Sequence, residues 1–342
     1  MAHIFICGDT GQAPLLDSVA RELSALGHEV VRGPLDEPGT VRRYSQAECA
    51  EFITSADVAV FTTRHECSRE MMAAASRLRG ICYPVIGVET LDLAAANELG
   101  IIVGHGAVRE NVVGMAEANL MLMLMLLYRV QINIQLMRDG KWRRPIPIAQ
   151  QMEGKTIGII GFGRIASALA ERLRPLGVHI LTYSPRITQD RLPDHVRKVT
   201  LTELLRDSDL VTLLTGLTPE TRHMLGSAEF SMMRPHAFIV NTGRGAVCDE
   251  EALYVALRDG IIAGAALDTF TIEPLPVSSA LRSLENVILT PHAVGHTLDG
   301  AEAFGPAMVE NIARILRGDL PLYCKNPQIE SAWRLRLQQM SV

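Results

Sequence analysis

At 342 residues and 37.4 kDa the chain is too long for one ordinary core and suits two domains of about 100–200 residues each. Hydrophobic residues at 48% and charged residues at 21% exclude a largely disordered chain. A formal net charge of −5, from 33 basic and 38 acidic residues, excludes the basic excess of a general nucleic-acid binder.

The N-terminus MAHIFICGDT has no charged start leading to a cleavage site, so it reads as a buried strand at 3–7 rather than a leader. A helix at 15–26 follows, stopped by Gly27. The alternation continues with a strand at 28–32, a helix at 46–55, a strand at 57–63 and a helix at 68–79. A strand at 81–87, with Pro84 at an edge or bend, leads to a helix at 91–99 closed by Gly100 and a strand at 101–104. A long helix over 116–138 breaks this rhythm. Its run LMLMLMLL at 120–127 is far shorter than the roughly 20 apolar residues a spanning helix needs. It is therefore expected to be buried in protein, and no membrane association is expected.

The alternation restarts with strands at 156–161, 179–184, 210–216, 237–243, 265–270 and 286–292. Helices at 165–176 and 249–258 lie among the segments between them, the second opening on acidic residues that suit a helix N-terminus. A final helix at 299–316 stops at Arg317-Gly318. Strands alternating with helices of this length predict an α/β protein with parallel sheets covered on both faces. Six cysteines, at 7, 49, 67, 82, 248 and 324, form no CxxC pair. Neither a zinc site nor a disulfide framework follows, no metal is expected, and a reducing cytoplasm suits the chain.

Gly161-Phe162-Gly163-Arg164-Ile165-Ala166 follows a strand and opens a helix, the context a dinucleotide-binding G-x-G-x-x-A turn requires. The diphosphate would sit on free N–H groups at the positive end of the helix. About 20 residues on, where NAD sites carry an acidic residue for the ribose, the next strand ends Tyr183-Ser184-Pro185-Arg186. Ser184 could bond a 2′-phosphate and Arg186 could neutralise it, so NADP is favoured over NAD. The alternative is a plain turn with Arg186 in water.

Arg244 and Glu273 follow the strand-like runs at 237–243 and 265–270, His292 ends the run at 286–292, and open α/β sheets place ligands at that edge. Reduction of a 2-oxoacid asks for this trio. A forked guanidinium holds the carboxylate, an imidazole supplies a proton to the carbonyl oxygen, and a carboxylate orients and charges the imidazole. Singly, each has a bland reading as a turn, a solvated loop or a surface histidine. Together, beyond a dinucleotide turn, they point to catalysis.

The segment from about Lys155 to Thr297 resembles the D-isomer-specific 2-hydroxyacid dehydrogenase family, through KTIGIIGFGRIASALAERL, NTGRGAVCDEEAL, AGAALDTFTIEPLP and NVILTPHAVGHT. Weaker likeness extends upstream through ETLDLAAANELGI, Ala116-Glu117 and Gly140-Lys141-Trp142. The resemblance implies two Rossmann-like or flavodoxin-like doubly wound domains. Residues 1–105 plus 298–342 would form a discontinuous substrate domain, and 106–297 the NAD(P)-binding domain, whose helix near 116–138 would join a homodimer. It also implies roles. His292 would be the acid, Glu273 its partner, and Arg244 the grip on the substrate. Asp268, Thr242, Gly243 and Gly295 would lie by the nicotinamide, with Gly216 and Thr221 toward the diphosphate, where Arg164 and Ile165 supply N–H groups. Ile86, Gly87 and Val88 would meet the substrate carboxylate, the domains closing over it.

The chain departs from the family where the loop at 85–89 has one glycine and an acidic Glu89, where His105 replaces a frequent Asn, and where Gly216 replaces a frequent Pro. At 342 residues it is expected to lack the regulatory C-terminal domains of longer phosphoglycerate dehydrogenases. The expected activity is interconversion of a small 2-oxoacid and its 2-hydroxyacid with NAD(P). The alternatives are oxidation of a small non-carbon anion in the same pocket, or a catalytically inactive NAD(H)-sensing regulator or scaffold of the same fold.

Overall fold

In the computed structural model, residues 1–36, 41–142 and 148–340 are described. The chain folds as two compact units, Met1–Asn111 with Thr297–Val342, and Val112–His296. The expected division at 105/106 and 297/298 differs by a few residues, because the first turn of a helix beginning at Arg109 groups with the N-terminal unit.

The first unit is built on β1 (His3–Gly8), β2 (Glu29–Leu35), β3 (Val58–Val60), β4 (Gly80–Cys82) and β5 (Ile102–Gly104), all parallel, in the order β2-β1-β3-β4-β5. Ile4, Phe5, Ile6 and Cys7 are all buried, as a strand covered on both faces requires. The connections are α1 (Ala13–Ala25), α2 (Gln46–Glu48, continued by a π turn), α3 (Arg69–Ala74) and α4 (Leu93–Glu98). The strand expected over 81–87 stops early for a simple reason. Tyr83 N–H makes one last bond, 2.9 Å to the Gly104 carbonyl, and Pro84 has no N–H to continue the ladder.

The single helix expected over 116–138 is two helices, α5 (Arg109–Leu127) and α6 (Val130–Arg138). Arg129 separates them in the left-handed region at φ 55°, unusual for a non-glycine residue, and its guanidinium lies 4.7 Å from the centroid of the Phe238 ring. That cation–π contact offsets the backbone cost. By length and composition α5 could cross a membrane; half of its apolar window is buried inside the protein, against the second unit's sheet.

That sheet comprises β6 (Thr156–Ile160), β7 (His179–Tyr183), β8 (Val196–Lys198), β9 (Leu210–Leu213), β10 (Phe238–Asn241), β11 (Gly264–Leu267) and β12 (Val287–Leu289). Its order is β12-β11-β10-β9-β6-β7-β8, again all parallel. The winding reverses between β6 and β9, and the turn Gly161–Gly163 leaves β6 at this switch point. The helices are α7 (Arg164–Leu173), α8 (Leu201–Asp207), α9 (Ser227–Met232) and α10 (Glu250–Arg258), the last capped by Asp249, whose Oδ1 accepts from Ala252 N–H at 3.1 Å. Leu204, Phe230 and Leu253 fill the core on one face of this sheet; Leu122, Leu126 and Leu169 fill it on the other.

Both sheets use the same latch at their amino ends. Asp57, just before β3, accepts from His3 N–H at 2.9 Å, and Asp209, just before β9, accepts from Thr156 N–H at 2.8 Å. Each aspartate ties the first strand of its sheet to the strand beside it.

The chain then returns to the first unit through α11 (Leu298–Arg317), which ends at Gly318, and a further helix, α12 (Glu330–Met340). Sequence pattern predicts no helix beyond 316, because α12 has one fully buried side chain, Trp333, and so no amphipathic stripe. Trp333 Nε1 donates to the Arg79 carbonyl at 2.7 Å. Asn326, also buried, accepts from Val103 N–H at 2.8 Å and donates to the Ile101 carbonyl at 3.0 Å, fastening the C-terminal segment to β5.

Candidate active site

The carboxyl edge of the seven-stranded sheet gathers most of the expected residues. Gly161 sits at φ 86°, and a Cβ there would come within 2.9 Å of Thr215, so the turn demands glycine. Gly163 is the N-cap of α7 and offers no side-chain cap, and nothing lies within 4 Å of where its Cβ would be. The first N–H groups of α7, from Arg164 and Ile165, thus have no capping side chain before them at the positive end of a helix dipole. Gly216, after β9, is equally unobstructed. A dinucleotide diphosphate fits this cradle.

Several expected partners turn out to be committed elsewhere. The Thr221 hydroxyl donates to the Gly216 carbonyl at 2.8 Å and accepts from Thr218 N–H at 2.7 Å, so it shapes its loop. Thr242 Oγ1 is buried and bonded to Asn119, and the Gly243 backbone is committed too, its N–H to Asn241 Oδ1 at 3.1 Å. A Cβ on Gly243 would meet the Thr215 carbonyl oxygen at 2.8 Å, which explains the glycine. Gly295 backs onto Met115 of α5, whose Sδ lies 1.9 Å from the ideal Cβ position. Asp268 Oδ1 accepts from the Thr290 hydroxyl at 2.7 Å, from Ala293 N–H at 3.0 Å and from Val294 N–H at 3.2 Å. It therefore pins the loop that carries His292.

That loop holds His292 at φ 53°, a strained conformation of the kind that persists where the surroundings dictate it. His292 Nδ1 donates to Glu273 Oε2 at 2.7 Å, and Glu273 Oε1 accepts from Phe270 N–H at 2.9 Å. Burial pulls the Glu273 carboxyl upward, but the His292 and Phe270 N–H groups and the charges of His292 and Arg244 together hold it below its ordinary 4.5. Nδ1 is thereby spent, and Nε2 is the nitrogen left to carry a proton outward. Arg244 follows β10, where its Nη1 donates to the Gly243 carbonyl at 2.6 Å and Asn241 Nδ2 donates to the Arg244 carbonyl at 3.1 Å. The glutamate, arginine and histidine expected from spacing act on one another in the fold.

Ser184 and Arg186 follow β7, Ser184 half-buried and Arg186 exposed. Sequence reasoning passes over a third residue here, Glu220. The Thr218 hydroxyl first, then its own backbone N–H and the Arg186 charge, hold the Glu220 carboxyl below the usual range. An acidic group therefore shares the surroundings of Arg186. Ile86, Gly87 and Val88 belong to the first unit, in the loop after β4. Val88 is turned into that unit's core, and Ile86 is half-buried.

Asn119 is a second residue that sequence reasoning passes over. Fully buried in α5, it donates to the Met115 carbonyl at 2.8 Å and to Thr242 Oγ1 at 2.9 Å, and its Oδ1 accepts from Thr212 at 2.9 Å and Thr242 at 3.2 Å. It locks the helix to β9 and to the end of β10. A lone Asn before a Leu/Met run is the signal available.

Comparison with known proteins gives a consistent picture. The family model for the NAD binding domain of D-isomer specific 2-hydroxyacid dehydrogenases matches residues 120–294. The chain is 35% identical over 303 residues to D-3-phosphoglycerate dehydrogenase of Methanocaldococcus jannaschii, covering 86% of this chain and 56% of that protein. It thus spans little more than half of that relative's length. It is 34% identical over 286 residues to glyoxylate reductase of Korarchaeum cryptofilum, covering 82% of this chain and 85% of that one. Among solved structures, a glyoxylate reductase from Paecilomyes thermophila superposes with a TM-score of 0.83 at 26% identity, over 96% of this chain and 99% of that chain.

Proposed function

The chain belongs to the D-isomer specific 2-hydroxyacid dehydrogenase family, and we propose that it interconverts a small 2-oxoacid and the corresponding D-2-hydroxyacid. The observation that carries this reading is the 2.7 Å hydrogen bond between His292 and Glu273, beside Arg244 and on the same sheet edge as the glycine turn. When bound, the nicotinamide cofactor supplies or accepts the hydride. The chain's own residues do the rest. His292 Nε2 holds the proton that reaches the carbonyl oxygen in reduction and takes it back in oxidation. Glu273 fixes the ring and favours its charged form. Arg244 presents a fork to the substrate carboxylate, a geometry no point charge reproduces.

In this reading the second unit binds the cofactor through Gly161, Gly163, Arg164, Ile165 and Gly216, with Asp268, Thr242, Gly243 and Gly295 shaping the nicotinamide end. Thr221 acts indirectly, by closing its own loop. The first unit contributes substrate specificity through Ile86, Gly87 and Val88. NADP is preferred over NAD, because β7 is followed by Ser184 and an exposed Arg186 rather than a carboxylate, although Glu220 competes for the same guanidinium. The protein forms a homodimer through α5 and α6, where Met121, Tyr128, Ile134 and Met137 remain exposed. Six free cysteines suit a reducing cytoplasm.

The test is a screen of glyoxylate, hydroxypyruvate, phenylpyruvate and 2-oxoglutarate, each followed as loss of NADH or NADPH absorbance. Turnover of at least one is expected. Binding of NADH or NADPH with no turnover of any would favour a sensing role instead.

A further inference from the structure

We propose that the carboxyl edge of the five-stranded sheet binds a divalent transition-metal ion on Asp9, Asp36 and His65. These residues follow β1, β2 and β3, which are neighbours in the sheet. They are 0, 4 and 0% exposed, and one ligand atom from each lies within 4.8 Å of the other two. Two carboxylates buried together need a compensating cation. The guanidinium of Arg64 approaches Asp9 Oδ1 only to 3.7 Å, from a half-exposed side chain.

Hydrogen bonds around the cluster set it in a ligating form. Asp9 Oδ1 accepts from Gly11 N–H at 2.7 Å and Gln12 N–H at 3.0 Å, and Asp36 Oδ1 accepts from Thr10 N–H at 2.7 Å. The Thr62 hydroxyl gives its one proton to Asp9 Oδ2 at 2.5 Å. Lying 3.0 Å from His65 Nδ1, the same oxygen must there accept, so Nδ1 carries the ring's N–H. A ligating histidine ordinarily has its second nitrogen held in this way. With the N–H on Nδ1, Nε2 of the neutral ring carries the lone pair.

Two atoms remain unspent. His65 Nε2 and Asp36 Oδ2 are both buried and have no hydrogen-bond partner among the described residues. Both are acceptors, and neither can satisfy the other. A metal ion satisfies both, with Asp9 completing the set. Ligand bonds of about 2.0–2.2 Å place adjacent donors roughly 3 Å apart, so three residues whose nearest donor atoms lie within 4.8 Å of one another would draw together around the ion. One imidazole with two carboxylates suits zinc, manganese or ferrous iron. The ion would clamp three strand ends, a stabilising role separate from hydride transfer.

The experiment uses the full chain, purified without a polyhistidine tag or chelator. Plasma mass spectrometry is expected to find one divalent ion per chain. EDTA is expected to lower Tm, and added Zn²⁺ or Mn²⁺ to restore it. Asp36→Asn and His65→Gln should lose both the ion and the EDTA response. Should either variant fail to fold, Co²⁺ added to chelator-treated wild type reads the site through its visible d–d bands. A chain without stoichiometric metal that gives only the spectrum of free aqueous Co²⁺ would overturn the proposal in favour of an imidazolium–carboxylate pair. Full retention of the ion by both variants would overturn it by placing the metal elsewhere.

Discussion

His292 occupies a left-handed backbone position that a β-carbon disfavours, and the Asp268 bonds to Thr290, Ala293 and Val294 hold it there. The result is a ring whose Nδ1 is tied to Glu273. In the proposed reaction His292→Ala lowers kcat by at least about a hundredfold, the scale of acid–base catalysis; an unchanged kcat would remove it from the chemistry. Glu273 gives a pH signature of definite sign. Its carboxyl is held below 4.5 in the fold, so its contribution to stability is complete above that pH and lost as pH falls through the lowered value. Urea midpoints of wild type and Glu273→Gln should differ above about pH 5 and converge as pH falls through the lowered value. A gap that persists undiminished below that value would contradict the assignment. Arg186 decides the cofactor in this reading. Arg186→Ala should raise KM for NADPH about tenfold, the loss of one charge-assisted contact, and leave KM for NADH nearly unchanged.

Among the elements, α5 has the least obvious logic. Its apolar residues run all round the helix, which hides the side that faces the sheet. Asn119 fixes that rotation, since only one orientation lets it meet Thr212 and Thr242 together. Asn119→Leu keeps the volume but strands two buried hydroxyls, each costing about 1–3 kcal/mol, so the urea midpoint should fall distinctly. Because Thr242 adjoins Gly243, KM for the cofactor should rise more than kcat falls; stability loss with unchanged cofactor KM would make Asn119 purely structural. Sequence pattern locates α5 but not its end at Leu127. Helices usually stop at glycine or proline, and here the stop is Arg129, held by an aromatic ring more than a hundred residues away. The three-residue β8 and the polar α12 are equally silent, since neither carries a hydrophobic period.

Taken whole, the chain is two α/β units built on parallel sheets, each with a switch point and an aspartate latch at its amino edge. In the proposed homodimer the exposed Met121, Tyr128, Ile134 and Met137, on α5, α6 and their connection, lie at the interface. Light scattering at micromolar concentration should give about twice the 37.4 kDa chain mass, and replacing Met121 and Met137 by glutamate should return it to one. A wild-type monomer would refute the dimer.

Local signals carried the strand–helix alternation, the glycine turn and the Arg244, Glu273 and His292 set, because each depends on spacing within a short stretch and on strands ending at one edge. The fold alone decided which of those groups are spent and which are free. Thr221 and Thr242 are absorbed by neighbours, Val88 turns inward, and Asp9, Asp36 and His65 meet although up to 56 residues separate them in the chain. Hydrogen-bond partnership between distant residues is a property of packing, and no periodicity in a sequence encodes which lone pair is left over.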